Sequence, residues 1–212
     1  YYNDSGDYNT ASGNQALYYN DSGDYNTASG NQALYNNDYG SYNTASGNQA
    51  LYNNGDGDYN TAFGNQALYN NDYGSYNTAF GNQALYSNSS GGSNTALGHK
   101  ALYSNTSGSG NVAIGYEAGW SETGSNKLYI ANGSGSGSQL VYGDFSSGDL
   151  SLGQTSGTVT VLNDADIDGT LTLGSMSNVE SSINTNTTNI TTNATNITTN
   201  TSVDEINNAF TS

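Results

Sequence analysis

The chain contains no cysteine, no proline and no arginine, and its two lysines, Lys100 and Lys127, stand against 18 acidic residues for a formal net charge of −16. Without cysteine, neither disulfides nor thiolate metal sites supply order. Without a basic surface, nothing neutralises nucleic-acid phosphates or anionic lipid, so nucleic acid and membrane headgroups are excluded as partners. No run of eighteen apolar residues spans a bilayer, and no signal-peptide pattern is present. Leu, Ile, Val and Phe together account for only 31 of 212 residues. So little apolar material in so charged a chain normally means disorder, because buried area does not offset chain entropy. Something other than a conventional core has to order it.

What is there is repetition. NTASGNQALY at residues 9 to 18 recurs with its Asn at 26, 43, 60, 77 and 94, then as NVAIGYEAGW from Asn111, always seventeen residues apart. Residues 1 to 8 are identical to 18 to 25, so the chain starts in mid-repeat without a Met and is expected to be part of something longer. Seventeen residues are too few for a pair of helices. Thr10 to Gly13 and Gln15 to Tyr18 read as two short strands separated by turn-rich NDSGD or NNDYGS, one coil of a β-solenoid. Alternate residues of a strand share a face. Because the Ser12 position becomes Phe63, Phe80, Leu97 and Ile114, that column is expected inside. Seven coils stacked at about 4.8 Å rise roughly 30 Å, and backbone pairing with side-chain ladders replaces much of the missing core.

After Trp120 the period disappears. Leu128 to Ile130, Leu140 to Tyr142 and Leu150 to Leu152 alternate with Gly/Ser turns and predict an antiparallel meander, and Thr158 to Leu162 with Thr170 to Leu173 a further pair. Residues 183 to 201 then place Ile183, Ile190 and Ile197 seven apart, with Asn186, Asn193 and Asn200 three residues after each, a heptad with Ile at a and Asn at d. Six Asn and nine Thr between 184 and 201, each costing roughly 0.6 kcal/mol against Ala, oppose an isolated helix by about 9 kcal/mol. Association is therefore expected to order it, three strands burying the Ile layers while the Asn amides satisfy one another or a central ion. Val203, Ile206 and Phe210 continue a seam displaced by one residue, so a new element is expected from Ser202.

Side chains that carry chemistry are few. Tyr18, Tyr35, Tyr52, Tyr69, Tyr86 and Tyr103 predict one aromatic column, and Tyr8, Tyr25, Tyr42, Tyr59 and Tyr76 a second. Such rings suit a sugar-binding face or, more plainly, a cover that seals contacts between chains. The acidic loops 3 to 7, 20 to 24 and 53 to 58 have the oxygen ligands of a calcium cage but match neither the twelve-residue calcium loop nor the nonapeptide calcium repeat, and are expected to be polar turns. His99 has no cysteine to share a zinc ion with and is expected to be a surface substitution. Glu117, Glu122, Asp144 and Asp149 are the carboxylates from which a glycosidase pair would have to come, and nothing in their spacing sets two at the needed separation. The expectation is a protein that is not an enzyme, requires no cofactor and binds no metal.

Taken together, the repeats NTA(S/F/L)GxxAL and NVAIGYEAG, the β connector and the Ile/Asn heptads resemble the head, neck and stalk of trimeric adhesin fibres. NVAIG at 111 to 115 is similar to the head motif of trimeric autotransporter adhesins, which implies a parallel β-roll built by three chains. NKLYIANGSGSGSQLVYGDFS (126 to 146) and DADIDGTLTLG (164 to 174) resemble connectors of bacteriophage tail fibres. Both resemblances imply that Asn186, Asn193 and Asn200 turn into a trimer axis and hold chloride or a similar anion.

The fold expected is thus mostly β: a parallel β-roll or β-solenoid of seventeen-residue repeats over 1–120, a β-rich neck over 121–177, a short trimeric coiled coil over 178–201, and the start of another element over 202–212. The function expected is that of a structural and adhesive segment of a homotrimeric tail fibre in a phage or phage-like particle, binding a glycan or protein on a host or target cell surface. The alternatives are a bacterial trimeric surface adhesin and a monomeric solenoid whose Thr10-to-Thr95 row binds ice or a flat mineral.

Overall fold

The computed structural model describes residues 2–135, 138–153 and 185–199, which belong to two compact units, Tyr1–Thr160 and Val161–Ser212. The first is a β-solenoid of about eight turns with parallel strands. Its strands are β1 (Tyr2–Asn3), β2 (Thr10–Ser12), β3 (Tyr19–Asn20), β4 (Thr27–Ser29), β5 (Asn36–Asn37), β6 (Thr44–Ser46), β7 (Thr61–Phe63), β8 (Thr78–Phe80), β9 (Thr95–Leu97) and β10 (Val112–Ile114), followed by β11 (Lys127–Ala131), β12 (Gln139–Asp144) and β13 (Asp149–Leu152). From β2 to β10 each Thr-Ala-X strand pairs in parallel with its copy seventeen residues on, Thr on Thr and Ala on Ala until β10. β1, β3 and β5 form a second, smaller parallel sheet, continued by single bridges from Asn36 to Asn53 and from Asn53 to Asn70.

The core runs through a different column from the one expected. Ala28, Ala45, Ala62, Ala79, Ala96 and Ala113 are fully buried at the centre of their strands, and with Ala16, Leu17 and their repeats they make the apolar interior. The flanking column faces outward: Phe63 is 46%, Phe80 51%, Leu97 38% and Ile114 39% exposed. A three-residue strand has one inward position, and from β2 to β10 that position is Ala in every coil. The increase in side-chain size from Ser12 to Ile114 is a change of surface, not of core.

The second expected strand is a turn. Gln15 and Leu17 adopt left-handed backbone conformations, φ 54° and 49°, and so do their counterparts in every coil to Lys100 and Leu102. Each such non-glycine residue costs roughly 1–2 kcal/mol. The gain is that Ala16 and Leu17, neighbours in sequence, both point inward, which the alternation of an extended strand forbids. Stacking holds the strain in place: the Leu17 N–H donates to the Ala33 carbonyl of the next coil at 2.9 Å, and the pattern continues to Leu102 on Ala118.

Beyond Trp120 the solenoid does not stop at once. β11 pairs in parallel with β10 at a spacing of sixteen, Val112 beside Leu128 and Ile114 beside Ile130. β12 and β13 then fold back antiparallel, with an irregularity at Ile130/Ala131, so the meander extends the same ten-stranded sheet. Lys127 and Asp144 face each other across β11 and β12 as an ion pair. Their mutual hydrogen bond raises the lysine above its ordinary pKa and lowers the carboxyl below its own. Tyr129 takes the inward place of the Ala column and donates to Glu122; burial, then this carboxylate, pushes its phenol well up.

In the second unit, residues 185–199 form a helix, roughly 22 Å long at 1.5 Å per residue. Thr191, Thr195, Thr198 and Thr199 turn their hydroxyls back onto the carbonyls four residues earlier, each at 3.0 Å, the habit that makes Thr a weak helix former. The strand pair expected at 158–162 and 170–173, together with Ile183, Asn200, Val203, Ile206 and Phe210, lies outside the described residues.

Candidate functional site

Three kinds of column run along the solenoid, and they divide structure from surface. The first is buried amide. Asn20, Asn37, Asn54, Asn71, Asn88 and Asn105 are fully buried, and each Nδ2 donates both to the Oδ1 of the Asn one coil back, at 2.6–2.9 Å, and to the carbonyl of the Gly three residues on. In a parallel column, Asn26 to Asn111 accept the backbone N–H of the next coil's Asn or of Lys127 on Oδ1, and their Nδ2 groups donate to a Gly carbonyl, as Asn43 does to Gly57 at 2.7 Å. These amides therefore act as an interior. The loop NDSGD supplies one of them, so its Asn and Gly are structural while its carboxylates stay outside. Among the described residues no group of three or more His, Asp or Glu is placed to hold a metal ion. Asp38, in the acidic row, has its pKa raised by partial burial and then by Asp21 and Asp56.

The second kind is aromatic. Tyr18, Tyr35, Tyr52, Tyr69, Tyr86 and Tyr103 stack at 5.0–5.4 Å between centroids and end on Trp120 at 6.0 Å; they are half-buried. Tyr8, Tyr25, Tyr42, Tyr59 and Tyr76 stack at 4.8–5.1 Å within 9° of parallel and are exposed. Every tyrosine inside a stack has both ring faces covered by its neighbours. It offers solvent only an edge and a hydroxyl, so it cannot lie flat on a sugar ring.

The third kind is an apolar row whose solenoid members, Phe63, Phe80, Leu97 and Ile114, the sequence predicts inside. Phe63, Phe80, Leu97, Ile114, Ile130, Val141 and Leu152 are successive register partners across the large sheet. Beside them on the same face run Val112, Leu128, Gly143 and Leu150. In the first three coils the same two positions are Thr and Ser; the Ser position turns apolar at Phe63 and the Thr position at Val112. Continuous exposed apolar surface is uncommon on a soluble monomer.

Among the remaining candidates, His99 stacks on Tyr116 at 5.1 Å and its Nδ1 is buried without a partner. It replaces the Asn of an exposed amide ladder, Asn14 to Asn82, that ends there. Lys100 ends the adjoining Gln ladder and reaches over the Tyr103 ring at 5.6 Å. Glu122 and Asp144 are engaged by Tyr129 and Lys127. On the helix, Asn186 and Asn193 are exposed, and Ile190 and Ile197 are 69% and 67% exposed. Among the described residues no helix is long and apolar enough to cross a membrane. No protein-family model matches the chain, nor does any curated protein or solved structure.

Proposed function

We propose that this chain is a structural and adhesive segment of a homotrimeric fibre, a phage or phage-like tail fibre that carries attachment sites to a host surface. The observation that carries the reading is the apolar row from Phe63 to Leu152, exposed at Phe63, Phe80, Leu97, Ile114 and Leu152. A single chain leaves it in water, whereas further copies of the same chain, which present the same row, remove it. The helix argues the same way. Its Ile190 and Ile197 lie exposed seven residues apart, and its Thr-rich composition disfavours a solitary helix. The likeness of residues 126–146 to tail-fibre connectors is the ground for a phage origin. Three copies of a weak surface site on one rod would add avidity.

Light scattering on the purified chain tests the reading, with a mass of three 22.0 kDa chains expected. Replacing Phe63 and Phe80 by Ser, the residue that the first three coils have there, should leave far-UV circular dichroism unchanged and reduce the mass. A folded wild-type chain of single mass would overturn the proposal and leave the outward Thr row as a flat-surface binder.

The same reading gives the stalk its ion. Three chains would turn the amides of Asn186, Asn193 and Asn200 toward one axis, where N–H groups suit chloride or a similar anion. Crystals soaked in bromide should show anomalous peaks on that axis at these layers; their absence would assign the amides to one another instead.

A further inference from the structure

The exposed tyrosine ladder ends abruptly. After Tyr76 the same corner of the coil is occupied by Ser93, Gly110 and Asn126. The backbone there does not change: φ is 58° at Ser93, 68° at Gly110 and 60° at Asn126, against 54–62° at the five tyrosines. The coil-to-coil bond also persists, Ser93 N–H to Ser75 carbonyl at 2.9 Å and Gly110 N–H to Gly92 carbonyl at 3.0 Å. Only the rings are missing. In their place is an open cleft of about 450 Å³, lined by Gly92, Ser93, Ser109, Gly110, Ser125 and Asn126. That volume lies within the roughly 300–1,000 Å³ that small-molecule sites span.

Two chemistries follow one another along this corner. One coil before Ser93 is Tyr76, 63% exposed, with Tyr59 stacked on one face at 5.1 Å and no next tyrosine to cover the other. In the cleft are directional polar groups. Ser109 and Ser125 accept backbone N–H groups on Oγ at 3.0 Å, which leaves their O–H groups to donate. Among the described residues the Ser93 hydroxyl has no partner, and Asn126 uses Nδ2 on Ser146 at 3.1 Å, which leaves its Oδ1 as an acceptor. A bare ring face beside hydroxyls and an amide oxygen matches an object with an apolar C–H face and a rim of hydroxyls. That object is a pyranose. A chain with net charge −16 and only two lysines selects against uronic and sialic acids.

We propose that Tyr76 and the vacated corner at Ser93, Gly110 and Asn126 bind one pyranose residue of a neutral glycan. This gives the attachment reading a ligand class, yet the site is built within one chain and does not depend on the assembly. Inside the ladder the ring faces are closed, and of its two ends, Tyr8 and Tyr76, it is the Tyr76 end that is followed by the cleft.

Saturation-transfer NMR with methyl β-D-glucopyranoside and methyl β-D-galactopyranoside tests it on the full chain. Transfer to at least one of them is expected, and none to methyl β-D-glucuronide. Ser93→Tyr continues the ladder at a corner whose backbone already has the tyrosine conformation, so it should fold and lose the signal at least tenfold. Tyr76→Leu should lose it likewise, while Tyr25→Leu, within the stack, should keep it. No transfer to either neutral glycoside, or undiminished transfer with Ser93→Tyr or Tyr76→Leu under unchanged circular dichroism, would overturn the site. A trimeric mass without sugar binding would sink this proposal alone; sugar binding by a single chain would sink the fibre alone.

Discussion

Asn54→Ala should destabilise the solenoid by roughly 2–6 kcal/mol, while Asn65→Ala, which breaks an amide ladder of the same geometry, should cost no more than about 0.5 kcal/mol. Asn54 is fully buried and donates from Nδ2 to Asn37 Oδ1 at 2.8 Å, and its own Oδ1 accepts from Asn71 at 2.8 Å. Truncation leaves Asn37 Oδ1 and one N–H of Asn71 without partners, at about 1–3 kcal/mol for each buried group. The Gly57 carbonyl is less affected, because Asn43 still donates to it. Asn65 makes its 2.9 Å bonds to Asn48 and Asn82 at the exposed surface, where water substitutes. Denaturant unfolding of the two variants should separate them by several-fold in free energy; equal losses would mean that the buried column is not what orders the chain. Asn54→Asp sharpens the test through its pH dependence. A carboxylate there faces the Asn37 Oδ1 and the Gly57 carbonyl with no proton to donate, and burial raises its folded pKa above the unfolded value. An acid with a raised folded pKa loses stability as pH rises through that window, so this variant should be closer to wild type at pH 4 than at pH 7.

The buried amides also explain what the sequence conveyed and what it withheld. The period of seventeen determines the coil, the parallel register and both tyrosine stacks, because residues one coil apart must meet. The meander was legible from apolar runs between Gly/Ser turns. The interior was not, for a reason that lies in the strand length. With three residues per strand there is no alternation to count, and size as the sign of burial points to Phe63 and Ile114. Constancy was the better sign: Ala11, Asn9, Asn3 and Gly6 recur almost unchanged in coils whose outer positions vary, and a narrow interior shared by identical coils permits little else. The left-handed Leu17 series escaped because propensity gives no reason for a bulky residue to adopt φ near 50°. Only the coil above, accepting and donating at fixed height, makes that conformation worthwhile. The end of the tyrosine ladder was visible as Tyr76 giving way to Ser93, but its meaning required the ring geometry, which shows that interior rungs have no free face.

Gly64→Ala should strongly destabilise the solenoid although it adds only one methyl group. Gly64 sits at φ 133°, a region that side chains rarely enter, and a Cβ there would lie 2.6 Å from the Gly81 carbonyl oxygen and 2.7 Å from its carbon. Neither atom can yield, since Gly81 N–H donates to the Phe63 carbonyl at 2.8 Å and Gly81 is itself pressed against Gly98. Strain and overlap act together, and a cost of about 4 kcal/mol or more is expected. In a stack of nearest-neighbour contacts, a defect in the middle removes the coupling between the coils on either side, so the loss should appear as a broad or two-step melt and not as a uniform shift. Gly135→Ala supplies the comparison: among the described residues no heavy atom beyond its chain neighbours lies within 4 Å of its added methyl, and its melting curve should overlay that of the wild type. If Gly64→Ala melted as the wild type does, the coils would have to be spaced more loosely than hydrogen bonds of 2.8–2.9 Å allow, and the stacking that replaces a conventional core in this chain would have to be sought elsewhere.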